Sequence, residues 1–518
     1  MTVRATNLTE VRHPASTTIG AGSSPTNTEA LCTSKCKPAT GEQGQSEPGS
    51  RNEEIAMKIR PFILSNITAV CVFMMLTSGC SKRVPEPSRP SMSIPAAAPI
   101  SSDTAASESA IRFLERKITA DPEDVIAYNK LASYYLQRLR ETGSLTYLEL
   151  ASKAARASLA VLPPEQHNTD GLTVMSHAEY AEHQFGAARD HARRLAELDP
   201  GKSYPFNTLG DSLLELGDYD GARAAFKQME RFGSDNEGLN TVAIDQRLAR
   251  QAALLGNTDM ARRYYEDGLR IALESPSPQR ETVAWCRWQL GELAFSLGDY
   301  KSAEQDYNDA LTTFPDYFRA RASLGRVKAA QGDLTGAINQ FERAVRLVPD
   351  PGFVASLGDL YRLTGRNKEA QAQYQLVEQI GRLTALNGAL YNRQLALFHA
   401  DHDFKVEEAY ADARREYETR RDIYGADAVA WTALKASKLS EAEQAMKEAL
   451  KLGTRDARLL YHAGMIQRAT GNESAAREFL GRALDLCPEF DPLQSAIAKD
   501  ALAVLYRGKS EGEARVFT

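Results

Sequence analysis

From about residue 107 onward, apolar and polar positions follow a helical pattern that returns at a regular spacing. The stretch LGDSLLELGDYDGARAAF (209–226) returns as LGELAFSLGDYKSAEQDY, LGRVKAAQGDLTGAINQF and LGDLYRLTGRNKEAQAQY. The shared frame is Leu-Gly, a second glycine seven residues after the first, an alanine five residues later and an aromatic residue four after that. The alanines that extend this frame are Ala188, Ala222, Ala261, Ala303, Ala337, Ala370, Ala409, Ala442 and Ala476. Their spacing of 33 to 42 residues predicts an array of helical repeats.

The frame resembles the tetratricopeptide repeat, a pair of antiparallel helices of about 34 residues. The resemblance covers roughly Ser107 to Leu505. It implies an all-α fold, an α-solenoid of nine to ten repeats whose helix pairs form a right-handed superhelix with A helices along its concave face. In this frame Gly210 lets helix A approach helix B, and Gly217 ends helix A in left-handed geometry. The aromatic residue, Phe226 in this copy, is expected to fill the gap between repeats.

Some units depart from the frame. The first, about 126–163, is expected to have a long turn at RLRETGSLTY, and 389–424 lacks the turn glycine. The unit around Trp431 is expected to have a shortened helix A. The final stretch, FDPLQSAIAKDALAVLYRG, predicts a capping helix, because an uncovered terminal repeat would expose its apolar face. Residues 506–518 are expected to form a flexible tail.

The resemblance also indicates which side chains face the concave surface. Carried onto this chain, the positions are Trp285, Trp288, Glu292, Phe295, Ser296, Arg319, Arg326, Asp359, Arg362, Tyr204, Asn207, Asp211, Gln246 and Arg250. Aromatic residues flanked by arginine are typical of binding hot spots. The alternative for Trp285 and Trp288 is packing between neighbouring repeats.

Composition narrows the function. The 518 residues hold 62 Lys and Arg against 68 Asp and Glu, a net charge of −6, which argues against nucleic-acid binding. We find no catalytic motif and predict no cofactor, metal or small-molecule substrate. The cluster HADHD (399–403) has metal-ligand residue types, but we interpret it as a polar turn in which aspartate caps helix B. Cys286 and Cys487 are interpreted as small buried residues rather than a disulfide.

The stretch Met57–Arg83, MKIRPFILSNITAVCVFMMLTSGCSKR, predicts an export signal. Lys58 and Arg60 precede an apolar run too short for a membrane-spanning helix. The ending LTSGC resembles the lipobox of bacterial lipoproteins, in which the cysteine, here Cys80, is lipidated and becomes the mature N-terminus. Thr77 departs from that pattern, and the alternatives are an ordinary signal peptide or an uncleaved anchor.

These observations predict five segments. Residues 1–56 are disordered and suggest a mis-assigned start, 57–79 are the signal peptide, 80–106 are a Pro/Ser-rich tether, and 107–505 and 506–518 are the superhelix and tail. Ser81 favours the outer membrane by the same resemblance, if the cell is Gram-negative. The predicted function is a non-catalytic scaffold in the bacterial envelope that binds partner proteins or peptides in its groove. The alternative is a regulatory subunit of an envelope enzyme or of a polysaccharide or peptidoglycan system.

Overall fold

The chain folds into successive α-helices. The computed structural model describes residues 94–234, 241–386 and 393–516, and every regular element within those ranges is helical. Its α-helices are α1 (Thr104–Ala120), α2 (Val125–Thr142), α3 (Leu145–Val161), α4 (Thr169–Ala181), α5 (Phe185–Leu198), α6 (Pro205–Glu215), α7 (Tyr219–Ser234), α8 (Thr241–Leu254), α9 (Thr258–Glu274), α10 (Arg280–Ser296), α11 (Tyr300–Thr313), α12 (Phe318–Ala330), α13 (Leu334–Leu347), α14 (Pro351–Leu363), α15 (Asn367–Leu386), α16 (Arg393–Asp401), α17 (Val406–Thr419), α18 (Ile423–Lys435), α19 (Leu439–Ala449), α20 (Ala457–Ala469), α21 (Glu473–Leu486) and α22 (Gln494–Val516). The predicted signal peptide, Cys80 and the tether up to residue 93 lie outside the described residues.

Neighbouring helices form ten antiparallel pairs within the described ranges, from α2/α3 to α20/α21. In each pair the even-numbered helix is helix A and the odd-numbered helix is helix B. All nine alanines of the sequence frame lie on B helices and are at most 3% exposed. Because a larger side chain would push the paired helices apart, these alanines set the close crossing of each pair. The predicted all-α solenoid is confirmed.

The frame glycine and the frame aromatic residue pack against each other inside one repeat. A Cβ atom on Gly291 of α10 would lie 2.5 Å from the ring of Tyr307 of α11. The pairs that repeat this arrangement are Gly210 with Phe226, Gly325 with Phe341 and Gly358 with Tyr374. The aromatic ring therefore fills the space that its own repeat's glycine leaves open. It also packs on the next repeat, as expected: the ring centre of Tyr374 lies 5.6 Å from that of Phe398 on α16.

Two expected irregularities are absent from the helices of the described ranges. Helix α2 continues to Thr142, so only Gly143, with φ of 67°, and Ser144 separate it from α3 instead of a long turn. Helix α18 has 13 residues, as α12 and α14 do, because Asp422 caps its N-terminus by accepting from the Gly425 amide. Helix α22 continues past residue 505, so the backbone of 506–516 is helical, and the flexibility expected of this tail stays a prediction.

The array returns onto itself every five helix pairs. The turn after α8, in the fourth pair, meets the segment after α19, in the ninth: a Cβ atom on Gly256 would lie 2.7 Å from the carbonyl oxygen of Gly453. The Thr454 hydroxyl donates to the carbonyl oxygen of Leu254 across the same contact, at 2.5 Å. The other contacts with this spacing join the first pair to the sixth (Gly143 with Val348), the third to the eighth (Gly217 with Arg421) and the fifth to the tenth (Gly298 with Leu486). One superhelical turn therefore takes about five pairs.

The N-terminal segment 94–103 has no regular secondary structure and lies along the fourth and fifth pairs. Ile94 and Ile100 pack against the apolar cluster of α8, α9 and α10, and the Arg287 guanidinium donates to the carbonyl oxygen of Pro95 at 3.1 Å. The described end of the predicted tether is thus fixed to the array. Among the described helices, none combines the length and the apolar character that crossing a bilayer requires.

Candidate functional site: a cavity inside the superhelix

A cavity of about 580 Å³ lies on the concave side of the array. Six consecutive A helices line it, α10, α12, α14, α16, α18 and α20, together with the segment that follows α21. Its volume is in the range of protein sites that hold small ligands or a few side chains. The expectation that A helices form the concave face holds for this part of the array.

The contact between the fifth and tenth pairs closes the wall of this cavity. The Cys487 thiol donates to the carbonyl oxygen of Phe295 at 3.3 Å, and the backbone amide of Glu489 donates to the Tyr300 hydroxyl at 2.8 Å. Phe295, Cys487 and Phe490 belong to one buried apolar cluster. Helix α10 and the segment that follows α21 are the first and last parts of the chain that line the cavity. They are therefore packed together rather than separated by solvent.

An ion pair crosses the cavity wall between α10 and α12. The Arg326 guanidinium donates to both carboxylate oxygens of Glu292, at 2.7 and 2.8 Å, and lies 4.3 Å from the ring centre of Phe295. Tyr307 and Ser323 donate their hydroxyls to the same carboxylate, at 2.7 and 2.6 Å. Burial disfavours the charged carboxylate, but Arg326 and the hydroxyl donors more than offset it, so the pKa of Glu292 lies below its ordinary value.

A second charged group projects from α14. Asp359 accepts from the Tyr374 hydroxyl and pairs with the His402 imidazole, which follows α16, both at 2.8 Å. Burial lowers the pKa of His402, but the hydrogen bond and the charge of Asp359 outweigh burial, so the net shift is upward. The structure thus brings five sequence-derived candidates to one cavity: Glu292, Phe295, Ser296, Arg326 and Asp359.

The two candidate tryptophans follow the packing alternative. Trp285 and Trp288 are half-buried, lie 6.3 Å apart edge to face, and contact the apolar cluster between the fifth and sixth pairs. The Trp288 indole donates to the Ser323 hydroxyl of α12 at 3.0 Å. The apolar surfaces of both and the indole N–H of Trp288 thus take part in stacking neighbouring repeats, and neither side chain lines the cavity.

The remaining candidates lie elsewhere on the array. Arg319 stacks on Phe318 and donates to the carbonyl oxygen of Arg140, at 3.4 Å, across the contact between the first and sixth pairs. Arg362 is exposed on α14 outside the cavity. The candidates on the third and fourth pairs, also outside it, are Tyr204, Asn207, Asp211, Gln246 and Arg250. Whether any of these residues binds a partner stays a prediction.

Arg250 takes part in a contact between superhelical turns. Its guanidinium lies 2.6 Å from Glu215, whose other oxygen accepts from Arg420 at 2.7 Å. Glu215 and Arg250 belong to the third and fourth pairs, whereas Arg420 follows α17 in the eighth. Burial opposes ionisation of Glu215, but the two guanidinium groups overcome it and lower its pKa to about 2. Arg250 therefore joins turns of the superhelix.

Three of the six helices that line the cavity carry no site residue predicted from the sequence. Helices α16, α18 and α20 contribute Asp401, Asp427 and Arg458, among others. Their repeats lack the Leu-Gly signature, so no concave positions were carried onto them. The available signal was the alanine spacing through Ala409, Ala442 and Ala476, which fixes where each preceding A helix must lie.

The HADHD cluster is the end of a helix and a turn. His399 is buried against Glu378 of α15, while His402 lines the cavity. The residue before α17 is Lys405, without a side-chain cap, so the predicted aspartate cap is wrong. In the described ranges, no group of three or more His, Cys, Asp or Glu is arranged to hold a metal. Cys286 and Cys487 are buried and unbonded to each other.

Segments of this chain are similar in sequence to known proteins. The mouse and human proteins named Superkiller complex protein 3 are 25% and 24% identical over 218 residues. That segment is 41% of this chain but only 13% of either relative. Human Tetratricopeptide repeat protein 36 is 31% identical over 119 residues, which is 20% of this chain and 63% of that protein. The chain thus spans less than two thirds of the length of each.

Two solved structures are similar in part. BtubC (BKLC) of P. vanneervenii is 23% identical, with a TM-score of 0.33, and the match covers 41% of this chain and 93% of that one. A chain of the APC/C hetero-tetramer Cut9-Hcn1 is 13% identical with a TM-score of 0.30, and the match covers 78% of this chain and 93% of that one.

Two sequence models described as tetratricopeptide repeat match most of the array. One matches residues 240–316, and the other matches 173–237, 288–351, 323–382 and 429–489. Together they cover more than half of the chain, and the matched segments include the helices α10, α12, α14 and α20 of the cavity wall and the second half of α18. The chain belongs to the tetratricopeptide-repeat family.

Proposed function

We propose that this protein is a non-catalytic scaffold, anchored by lipid in a bacterial cell envelope, which holds a segment of a partner protein in the cavity. Tetratricopeptide-repeat proteins are generally protein-interaction scaffolds, and this supports the general class of function. The observation that carries the proposal is the cavity itself, in which six A helices present charged and aromatic side chains to one shared space. The alternative, a regulatory subunit, is the case in which the partner is an envelope enzyme.

Affinity capture from crosslinked envelopes, with mass spectrometry, tests the binding site. Ser356 of α14 lines the cavity, and Ser356→Phe would place a ring in the space that a partner segment needs. Ser474→Phe is the matched control, because Ser474 is exposed on α21 outside the cavity. The proposal expects Ser356→Phe to lose the partner and Ser474→Phe to retain it. Equal capture by both variants, with both folded, would refute the cavity as the site.

The anchor rests on the lipobox-like sequence at Cys80 and has a separate test. More than one acyl chain is needed for stable attachment, since each buried methylene contributes about 0.8 kcal/mol. Cys80→Ala should therefore release the protein from membranes or arrest it as a precursor, as fractionation and intact-mass analysis would detect. A membrane-bound mature species that retains residues 1–56 would rule out both the lipid anchor and the start at Met57.

A further inference from the structure

The cavity carries more negative than positive charge. Its lining carboxylates are Glu292, Asp350, Asp359, Asp401, Asp427, Asp456 and Asp491, and its lining guanidinium groups are those of Arg326, Arg393 and Arg458. With histidines counted as neutral, carboxylates exceed guanidinium groups seven to three. The excess is local, because the whole chain has a net charge of only −6 over 518 residues.

The three arginines are already engaged. Arg326 pairs with Glu292, Arg458 with Asp491, and Arg393 with Asp422 outside the lining, each at 2.7 Å. The lining carboxylates that remain are Asp350, Asp359, Asp401, Asp427 and Asp456. Among the described residues, none of these five forms an ion pair with lysine or arginine. Histidines, an indole and helix N-termini supply their hydrogen bonds instead.

The negative charge is densest around Arg458. Burial opposes its charge, but Asp491, Asp401, Asp456 and Asp427 together raise its pKa above the ordinary value. Burial raises the pKa of Asp401, and the charge of Asp491 raises it further, which together outweigh the lowering by Arg458 and His462. One guanidinium thus pairs with Asp491 and lies near three further carboxylates, and a further cation placed here would relieve their mutual repulsion.

Aromatic and apolar walls suit the rest of a cationic side chain. Phe353, Phe398, Tyr424 and Phe490 line the same cavity. Lysine and arginine bury their methylene stems against apolar surface while the charged head reaches polar groups, and aromatic faces attract cations directly. A volume of about 580 Å³ admits a few side chains of an extended segment and excludes a folded domain.

We infer that the cavity recognises a short segment of a partner protein that carries lysine or arginine between apolar residues, with the cation bound beside Asp401 and Asp456. The inference rests on the proposed function and specifies the chemistry of its partner. Charge complementarity selects this occupant, because an acidic segment would add to the unbalanced carboxylates.

Selection of random dodecapeptides displayed on phage, using the full chain, tests this chemistry. Selected peptides should be enriched in lysine and arginine, and synthetic copies should bind with dissociation constants that rise with salt. Asp401→Asn with Asp456→Asn should weaken binding about tenfold in fluorescence anisotropy. Asparagine keeps the size of each side chain and remains a good N-cap at position 456. The control, Asp220→Asn with Asp412→Asn, removes two charges from α7 and α17 outside the cavity and should bind as the wild type.

Three other results would contradict the cationic partner, the scaffold function or the identity of the occupant. Neutral or acidic peptides whose binding Ser356→Phe abolishes would refute the cationic partner and leave the scaffold function standing. Failure to select any peptide that depends on the cavity, together with envelope capture insensitive to Ser356→Phe, would refute both. If Lys82→Ser with Arg83→Ser strengthens binding of the cationic peptides, the chain's own N-terminal segment is the occupant, and the partner-protein inference is wrong.

Discussion

At the scale of single residues, charged side chains in this array divide between two tasks. Glu292 and Arg326 neutralise each other on the cavity wall, while Glu215 binds Arg250 and Arg420 between superhelical turns. Glu215 is only 3% exposed, and a buried carboxylate of this kind is stable only while both cations remain. Because acid protonates carboxylates, the pairing of Glu215 with arginines between superhelical turns makes the fold sensitive to acid.

Acid should therefore destabilise the wild type partly through Glu215. Its pKa falls from 4.5 to about 2 on folding, so its stabilisation is complete above pH 4.5 and lost as the pH falls toward 2. A shift of this size corresponds to about 3 kcal/mol. Urea unfolding of Glu215→Gln should show lower stability at pH 7 and a shallower decline between pH 4.5 and 2.

Glu197→Gln is the control for this measurement, because Glu197 is exposed on α5 and pairs only with Arg194 among the described residues. Its acid profile should match that of the wild type. If Glu215→Gln and the wild type declined in parallel through the acid range, the bridge between turns would not contribute to stability.

At the scale of helices and turns, the turn glycines fall into two groups. All adopt positive φ, a backbone conformation that is unfavourable for residues with a side chain. A Cβ atom on Gly256 would additionally touch the ninth pair, whereas a Cβ atom on Gly332 or Gly365 would have no described atom within 4 Å. The latter two glycines belong to the sixth and seventh pairs, which have no pair five places further along the described array. The contacts between helix pairs five places apart thus explain why the turn at Gly256 is crowded and those at Gly332 and Gly365 are not.

Gly256→Ala and Gly332→Ala form a matched pair for testing that contact. Their φ values, 73° and 83°, give both variants a similar conformational cost of about 1 kcal/mol. Overpacking against the Gly453 carbonyl should cost Gly256→Ala about 1 to 3 kcal/mol more. Thermal and urea unfolding of the full chain measure the difference, and equal losses would mean that the fourth and ninth pairs do not touch.

The same elements show what sequence could and could not predict. Alanine and glycine spacing located the helix pairs, because close crossing tolerates only small residues at Ala303 or Gly291. The contact of Leu254 with Thr454 joins turns 200 residues apart, and neither residue type signals such a contact. Trp288 was ambiguous because a hot-spot tryptophan and a packing tryptophan occupy similar helix positions, and only its bond to Ser323 distinguishes them.

At the scale of the whole molecule, the contacts between helix pairs five places apart turn a concave face into a partly open cavity. Repeat proteins usually gain stability from neighbouring repeats alone. Here the fifth pair also packs against the tenth, so the cavity wall depends on contacts far apart in sequence. A partner segment would consequently bind surfaces from six pairs at once, and loosening one contact between turns should affect binding as well as stability.

Hydrogen exchange at the Ile423 amide tests this closure most directly. First-turn amides of a helix have no partner within the helix, yet the Ile423 amide, at the start of α18, donates to the Tyr219 hydroxyl of α7 at 2.8 Å. The Arg458 amide, at the start of α20, is a local control because it donates to Asp456. In the full chain, residue-resolved exchange should show Ile423 protected in the wild type and about fivefold to tenfold faster in Tyr219→Phe, with Arg458 unchanged. An unprotected Ile423 amide in the wild type would contradict the closed superhelix.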